Sequence, residues 1–290
     1  MSNFSIITDA ASAMTSELAE KFNIKVVPMT AYIGDREFKH RPDESEMKMS
    51  DFYNELKAGA NSGTAAVSPG DWIDGIEGEL KEGRDIIAVA FSSGLSSTYE
   101  SCCLAAEDMK EKYPDRKIFV IDSKSADFGQ GLYAYYGAKK RDEGAGIEET
   151  VEYLESIKLN ICHWFTVDDL HHLRRGGRIS ATTAVIGSAL GIKPVLHVDN
   201  EGKLINIGKA RGRKNSLLEL TAKVGQTAIE PENQTMFLSH ANCAEDAQIV
   251  VDELKNKYHV PEVIVVQTAP IAGAHSGPGT MALFFYGTER

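Results

Sequence analysis

Short, continuously apolar runs, each followed by a helical pattern, constrain this chain more than any other feature. Phe4 to Thr8, Ile86 to Phe91 and Ile118 to Ile121 have strand length and little polar alternation. Runs of that kind suit strands buried on both faces. Between and after them, Thr15 to Phe22, Asp71 to Lys81, Gly131 to Arg141 and Ile147 to Ile157 have helical spacing. Tyr99, Cys102, Cys103, Ala106, Met109 and Tyr113 fall on one helical face. Lys25 to Ile33 is strand-like and ends in the turn dipeptide Gly34-Asp35. Repeated β-α-β order predicts a parallel sheet covered by helices.

The second half has a different rhythm. Cys162 to Val167 predicts a strand, Asp168 to Leu173 a short helix and Thr182 to Leu190 a helix of small residues. Val195 to Val198 and Leu204 to Ala210 flank the turn-rich Asp199-Asn-Glu-Gly202, so an antiparallel hairpin is expected. Helix Leu217 to Ala228, strand Met236 to His240, helix Ala244 to Tyr258 and strands Val263 to Thr268 and Met281 to Phe285 complete a mixed sheet. The expectation is an α/β protein of two domains. Residues 1–160 form an N-terminal parallel-sheet αβα domain. Residues 161–290 form a C-terminal α+β domain with a mixed sheet, the ligand lying between and within the two.

Composition narrows the function. A net charge of −11 argues against nucleic acid as a partner. From His171 to Lys214, nine basic residues face only Asp199 and Glu201, a local +7 that leaves −18 on the rest. A basic face on an acidic protein suits an acidic partner or a phosphate. No run approaches the length of a membrane span, and the N-terminus enters a strand pattern without a signal-peptide pattern. Cys102, Cys103, Cys162 and Cys243 lack metal-binding spacing and predict reduced thiols in a cytoplasmic protein. No metal site is expected. Neither a Walker A motif, a G-x-G-x-x-G loop nor a G-x-S-x-G elbow occurs.

The loop after the run 86–91 carries the most chemistry. Ser92, Ser93, Ser96, Ser97 and Thr98 sit at the carboxyl end of a predicted buried strand, where open α/β sheets bind ligands. The loop holds no Lys, His, Asp or Glu, so it offers neutral donors without a base. Ser97-Thr-Tyr-Glu100 predicts a capping box, leaving Ser96 as the ligand candidate. Asp9 and Asp122, at strand ends, suit either a ligand or the loop amides, and the structural role is preferred. Gly176-Gly177 predicts a sharp helix stop after Arg174 and Arg175, and Arg178 beyond it can reach a carboxylate or phosphate. Adjacent His171 and His172 point about 100° apart on a helix, poor geometry for one metal. Gly273-Ala-His-Ser-Gly-Pro-Gly279 predicts a fixed loop presenting His275.

Taken in order, IITDAAS, the Thr64 loop, FSSGLSSTY, VIDSKSADFGQG, FTVDDLHHLRRGGRIS, Gly191-Ile-Lys-Pro194 and AGAHSGPG resemble the DegV family of bacterial fatty-acid-binding proteins. The resemblance implies a long-chain fatty acid in a buried tunnel. Thr64 and Ser96 would hold its carboxylate, with Arg178 and His275 as neighbours. It also implies a non-catalytic, lipid-carrying subunit of fatty acid kinase, whose ATP-dependent partner phosphorylates the presented carboxylate to an acyl phosphate. Arg174, Arg175, Arg211, Arg213 and Lys214 would then dock that partner, with at most transient contact with a membrane surface. Ala65, Ser97 and Ala269 stand where relatives carry Ser, Gly and Gly. Ser97 is the expected replacement for the hydroxyl that Ala65 removes, and so joins the carboxylate site. The alternative is a stand-alone α/β enzyme acting on a small phosphorylated or carboxylated substrate.

Overall fold

The computed structural model describes residues 4–179 and 191–290. Strands β1 (Phe4–Asp9), β2 (Ile24–Val27), β6 (Asp85–Ala90) and β7 (Ile118–Asp122) form a parallel sheet in the order β2-β1-β6-β7. Burial on both faces explains the unbroken apolar run of β6. Ile87 and Val89 enter one apolar cluster, and Ile86, Ala88 and Ala90 enter another on the opposite face. The helices of this half are α1 (Ser16–Lys21), α2 (Met49–Lys57), α3 (Pro69–Lys81), α4 (Thr98–Lys112), α5 (Phe128–Asp142) and α6 (Ile147–Ile157).

Two features depart from expectation. The run Lys25 to Ile33 is not one strand. It breaks at Pro28, which has no N–H to give to a ladder. Beyond it, β3 (Met29–Ile33) leaves the parallel sheet and pairs antiparallel with β4 (Arg36–His40) and β5 (Ser62–Thr64) in a separate three-stranded sheet. Helix α2 was not expected either. It buries Phe52, Tyr53 and Leu56 from a highly charged stretch, too few apolar positions to set a clear period.

The C-terminal domain is built on a mixed six-stranded sheet. Its strands are β8 (Ile161–Thr166), β9 (Ile192–Val198), β10 (Leu204–Arg211), β11 (Thr235–His240), β12 (Glu262–Gln267) and β13 (Met281–Tyr286), in the order β10-β9-β8-β13-β11-β12. Strands β9 and β10 form the expected antiparallel hairpin, and only β11 with β12 is parallel. The helices are α7 (Leu170–Arg175), α8 (Arg213–Thr227), α9 (Ala244–Tyr258) and α10 (Pro270–Ser276). The helix expected at Thr182 to Leu190 lies outside the described residues. No helix among the described residues is long and apolar enough to cross a membrane.

Helix α5 ties the halves together. It packs against β1, β2 and β6 on one side and against β8, β11 and β13 on the other. One apolar cluster therefore runs from Ile6, Ile87 and Val89 through Phe128 and Leu132 to Phe165, Phe237 and Phe284. The Phe128 and Phe237 rings lie 4.3 Å apart at the seam. At its edge the loop after β6 fits under the β9–β10 turn. Ser92 Oγ donates to the Gly202 carbonyl at 2.8 Å. Gly94 approaches so closely that an added Cβ would lie 2.6 Å from the Glu201 carbonyl oxygen. We expect Gly94→Ala to lower stability by about 1–3 kcal/mol, the usual cost of overpacking, in urea unfolding. An unchanged midpoint would contradict that contact.

Candidate functional site

A largely apolar cavity of about 730 Å³, its mouth included, opens along the seam. Phe91, Leu95, Phe165, Leu173, Ile271 and Phe284 line it, and so do Thr64, Ser96, Arg178 and His275. The structure thus brings these last four residues together from four separate segments. A second depression of about 820 Å³ lies outside, lined by Asn61, Ser62, His172 and Arg175. Thr64, Arg178 and His275 line both spaces, so they form the wall between an apolar interior and a polar exterior.

The hydrogen bonds of this wall leave hydroxyl protons free. Thr64 Oγ1 lies 2.8 Å from His275 Nε2. With Nε2 protonated, the imidazole donates to Thr64, and the threonine hydroxyl keeps its own proton for a ligand. A similar relay serves Ser96. The Val67 amide donates to Thr98 Oγ1 at 3.3 Å. Thr98 Oγ1 lies 2.9 Å from Ser96 Oγ, and the Thr98 amide donates to Ser96 Oγ at 3.3 Å. With Thr98 as donor, Ser96 accepts twice and its O–H remains available.

Arg178 supplies the charge. It is half-buried, its guanidinium donates to the Gly176 carbonyl, and burial alone lowers its pKa without a carboxylate beside it. His275 does not sit in a loop as expected. It lies in the last turn of α10, which Pro270 opens at its first position. Gly176 makes room for it, because a Cβ there would fall 2.5 Å from His275 Nδ1. Only Gly177, at φ +70°, uses glycine's backbone freedom to end α7.

The DegV family model, described as "Uncharacterised protein, DegV family", matches residues 3–288. The chain belongs to the DegV family. A DegV domain-containing protein of Clostridium perfringens (strain 13 / Type A) is 39% identical over 100% of this chain and 99% of its own. DegV of Bacillus subtilis, a fatty acid binding protein, has a solved structure with TM-score 0.83 and 27% identity, covering 98% of this chain and 99% of that one. A fatty-acid-binding DegV family protein from Thermus thermophilus has TM-score 0.86 and 25% identity over 98% and 99% of the two chains.

Other sequence-derived candidates in this DegV-family chain fall differently. Ser97 occupies the position before α4, but its hydroxyl makes no cap bond and the residue is exposed, away from the cavity wall. Ser97 makes no cap because its backbone, at φ −79° and ψ 12°, is not the extended conformation that aims a cap hydroxyl at the first-turn amides, and its exposure keeps it from replacing the hydroxyl absent at Ala65. Asp9 accepts from the Phe91 and Ala11 amides and from Gln130. Asp122 accepts from the Ser93 and Lys124 amides and pairs with Lys124. Both carboxylates tie loops. Among the basic residues, Arg174, Arg175, Arg211 and Lys214 are exposed. Arg213 instead turns inward to Asp246 and Asp168, which removes it from an outward-facing basic surface. Thr98, one of the five loop hydroxyls, is buried and supports Ser96, a role that a helix-start threonine does not announce in sequence. Asp127, in the cavity wall, was missed.

Burial, helped by the Arg178 charge, pushes the His275 pKa from 6.5 down to about 4. A depressed histidine contributes stability that is present above pH 6.5 and lost as pH falls towards 4, because the unfolded chain binds the proton first. Asp9, which burial raises to about 6, works in the opposite direction, so the difference from a variant isolates the histidine. Between pH 6.5 and 4 the wild type should lose on the order of 2–3 kcal/mol more than His275→Asn in urea unfolding. Parallel pH profiles would refute the neutral imidazole.

Proposed function

We propose that this protein binds a long-chain fatty acid in the seam cavity and presents its carboxylate to an ATP-dependent kinase partner. The observation that carries the reading is Arg178, a half-buried cation with no carboxylate partner among the described residues, at the polar end of an apolar cavity. A fatty acid is the ligand whose two ends match both environments. Its carboxylate would take the free protons of Thr64 and Ser96 and the charge of Arg178, with neutral His275 steadying Thr64. The two DegV-family structures named above, both of fatty-acid-binding proteins, support the same ligand.

Magnitudes favour a division of labour. Each buried methylene is worth about 0.8 kcal/mol, so about 14 of them offer roughly 11 kcal/mol before association costs. A buried carboxylate without partners would cost several kcal/mol. The chain supplies grip, and the polar wall makes burial of the head tolerable and fixes its direction. The kinase would transfer the γ-phosphoryl group of its ATP to the carboxylate oxygen, giving an acyl phosphate and ADP. The carrier would act in the cytoplasm and contribute no catalytic group. The outer depression, with Arg175 and His172 on its rim, is where the partner's phosphates would approach. Exposed Arg174, Arg211 and Lys214 would add attraction for that partner.

A stand-alone enzyme is the second reading, and the Thr64–His275 pair is the observation that favours it. A histidine with a pKa near 4 is a weak base at neutral pH. No carboxylate hydrogen-bonds its ring to orient it among the described residues.

Delipidated protein mixed with stearic acid should take up one molecule by native mass spectrometry. Thr64→Val should lower its affinity roughly tenfold, the loss of a hydrogen bond to a charged group. The same variant should lower phosphorylation by a cognate kinase at least ten times further. Uptake of no fatty acid would sink the proposal. Turnover of a small acid by the protein alone, abolished by Thr64→Val, would replace it with the enzyme reading.

A further inference from the structure

The polar side chains of the cavity wall divide into those already matched and those that are not. His163 bonds the Ile161 carbonyl through Nδ1 and accepts the Ala126 amide at Nε2. Thr280 donates to backbone carbonyls of Ser276 and Gly277. Beyond Thr64, Ser96, Arg178 and His275, two groups remain. Asp127 is 7% exposed and Ser276 is 8% exposed. Asp127 Oδ1 and Ser276 Oγ are buried and have no hydrogen-bond partner among the described residues. Both residues line the cavity.

Asp127 is held firmly in this position. The Ser239 hydroxyl, on β11 of the opposite sheet, donates to its Oδ2. Its other oxygen, Oδ1, has no such partner among the described residues, and the side chain lines the cavity. A saturated hydrocarbon chain gives that oxygen nothing to bond. Burying an unmatched polar group costs about 1–3 kcal/mol on mutational scales, so a cavity meant only for methylenes would be better served by an apolar residue here. Burial pushes the Asp127 pKa up to about 7, against the pull of the Ser239 hydroxyl and the Phe128 amide. The carboxyl is therefore able to accept from a ligand when ionised and to donate when protonated. An alcohol answers both states, because a hydroxyl donates and accepts.

Resting on the fatty-acid reading above, we propose that Asp127 is a ligand-binding residue and that the preferred ligand is a hydroxylated fatty acid, whose chain hydroxyl bonds Asp127 Oδ1. Ser276 Oγ offers a second partner on the same wall.

The probes are stearic acid and a series of monohydroxystearic acids differing in hydroxyl position. Delipidated wild-type protein is titrated with each by isothermal calorimetry. At least one positional isomer should bind no more weakly than stearic acid. In Asp127→Leu the ratio of that isomer's affinity to stearic acid's should fall about tenfold. A merely structural Asp127 would alter thermal stability and leave the ratio alone. If stearic acid binds but every isomer binds more weakly, or if the ratio is unmoved in Asp127→Leu, the inference is overturned and the fatty-acid reading stands. If neither stearic acid nor any isomer binds, the fatty-acid reading itself falls, and the inference with it. Should Asp127→Leu fail to fold, the wild-type ranking decides alone.

Discussion

Sharing one apolar core between two sheets is the constraint on which the rest of the structure depends. Helix α5 has no solvent side of consequence near its start, because one face meets the parallel sheet and another meets the mixed sheet. Such an arrangement buries aromatic side chains at the seam, and the rings of Phe128 and Phe237 meet there. Beyond this contact, side chains from both halves line a space instead of filling it. The cavity is in that sense a product of the layer geometry. Closing it would require the loops at the sheet ends to collapse, and the fit of Gly94 beneath the β9–β10 turn holds one of those loops in place.

Polar groups around this cavity follow a consistent logic. Acids that support the fold are matched by loop amides, as at Asp9 and Asp122. Groups at the cavity wall are matched on their inner side only. Thr64 leans on His275, Ser96 on Thr98, and Arg178 on the Gly176 carbonyl. Each is thereby oriented with bonding capacity left over. A depressed histidine pKa fits this role, since a neutral ring serves as a fixed donor without adding a second positive charge beside Arg178.

Much of this was legible in the sequence, and the limits have physical causes. Continuous apolar runs marked β1, β6 and β7 because burial on both faces leaves no room for polar residues. The β9–β10 hairpin was visible through its turn residues. Helix α9 matched its predicted bounds, since fifteen residues give a period several repeats to declare itself. The three-stranded sheet was hidden because Pro28 interrupts what reads as one strand, and only tertiary pairing tells where the chain goes next. Ser96 lies in the cavity wall as its position suggests, but Ser97 does not cap the helix, because capping depends on backbone angles that residue identity does not encode. Ser96, Arg178 and His275 stand out by local pattern, whereas Thr64 is named only through family resemblance, since nothing near it in the chain announces a partner 211 positions away.

That separation has a kinetic meaning. The bonds from Thr64 to His275, from Ser62 to the Ala274 carbonyl and from Tyr53 to the Thr268 carbonyl each join residues more than two hundred positions apart. Closing so long a loop costs entropy that only a nearly complete fold repays. The polar wall is therefore a late-forming part of the molecule, and the short helix α10 that carries His275 packs against α2, α7, β3 and β5. A ligand anchored there acts as a clasp on the chain's most distant contacts. Its departure needs only local opening of that clasp, while the two sheets and the helix between them stay assembled.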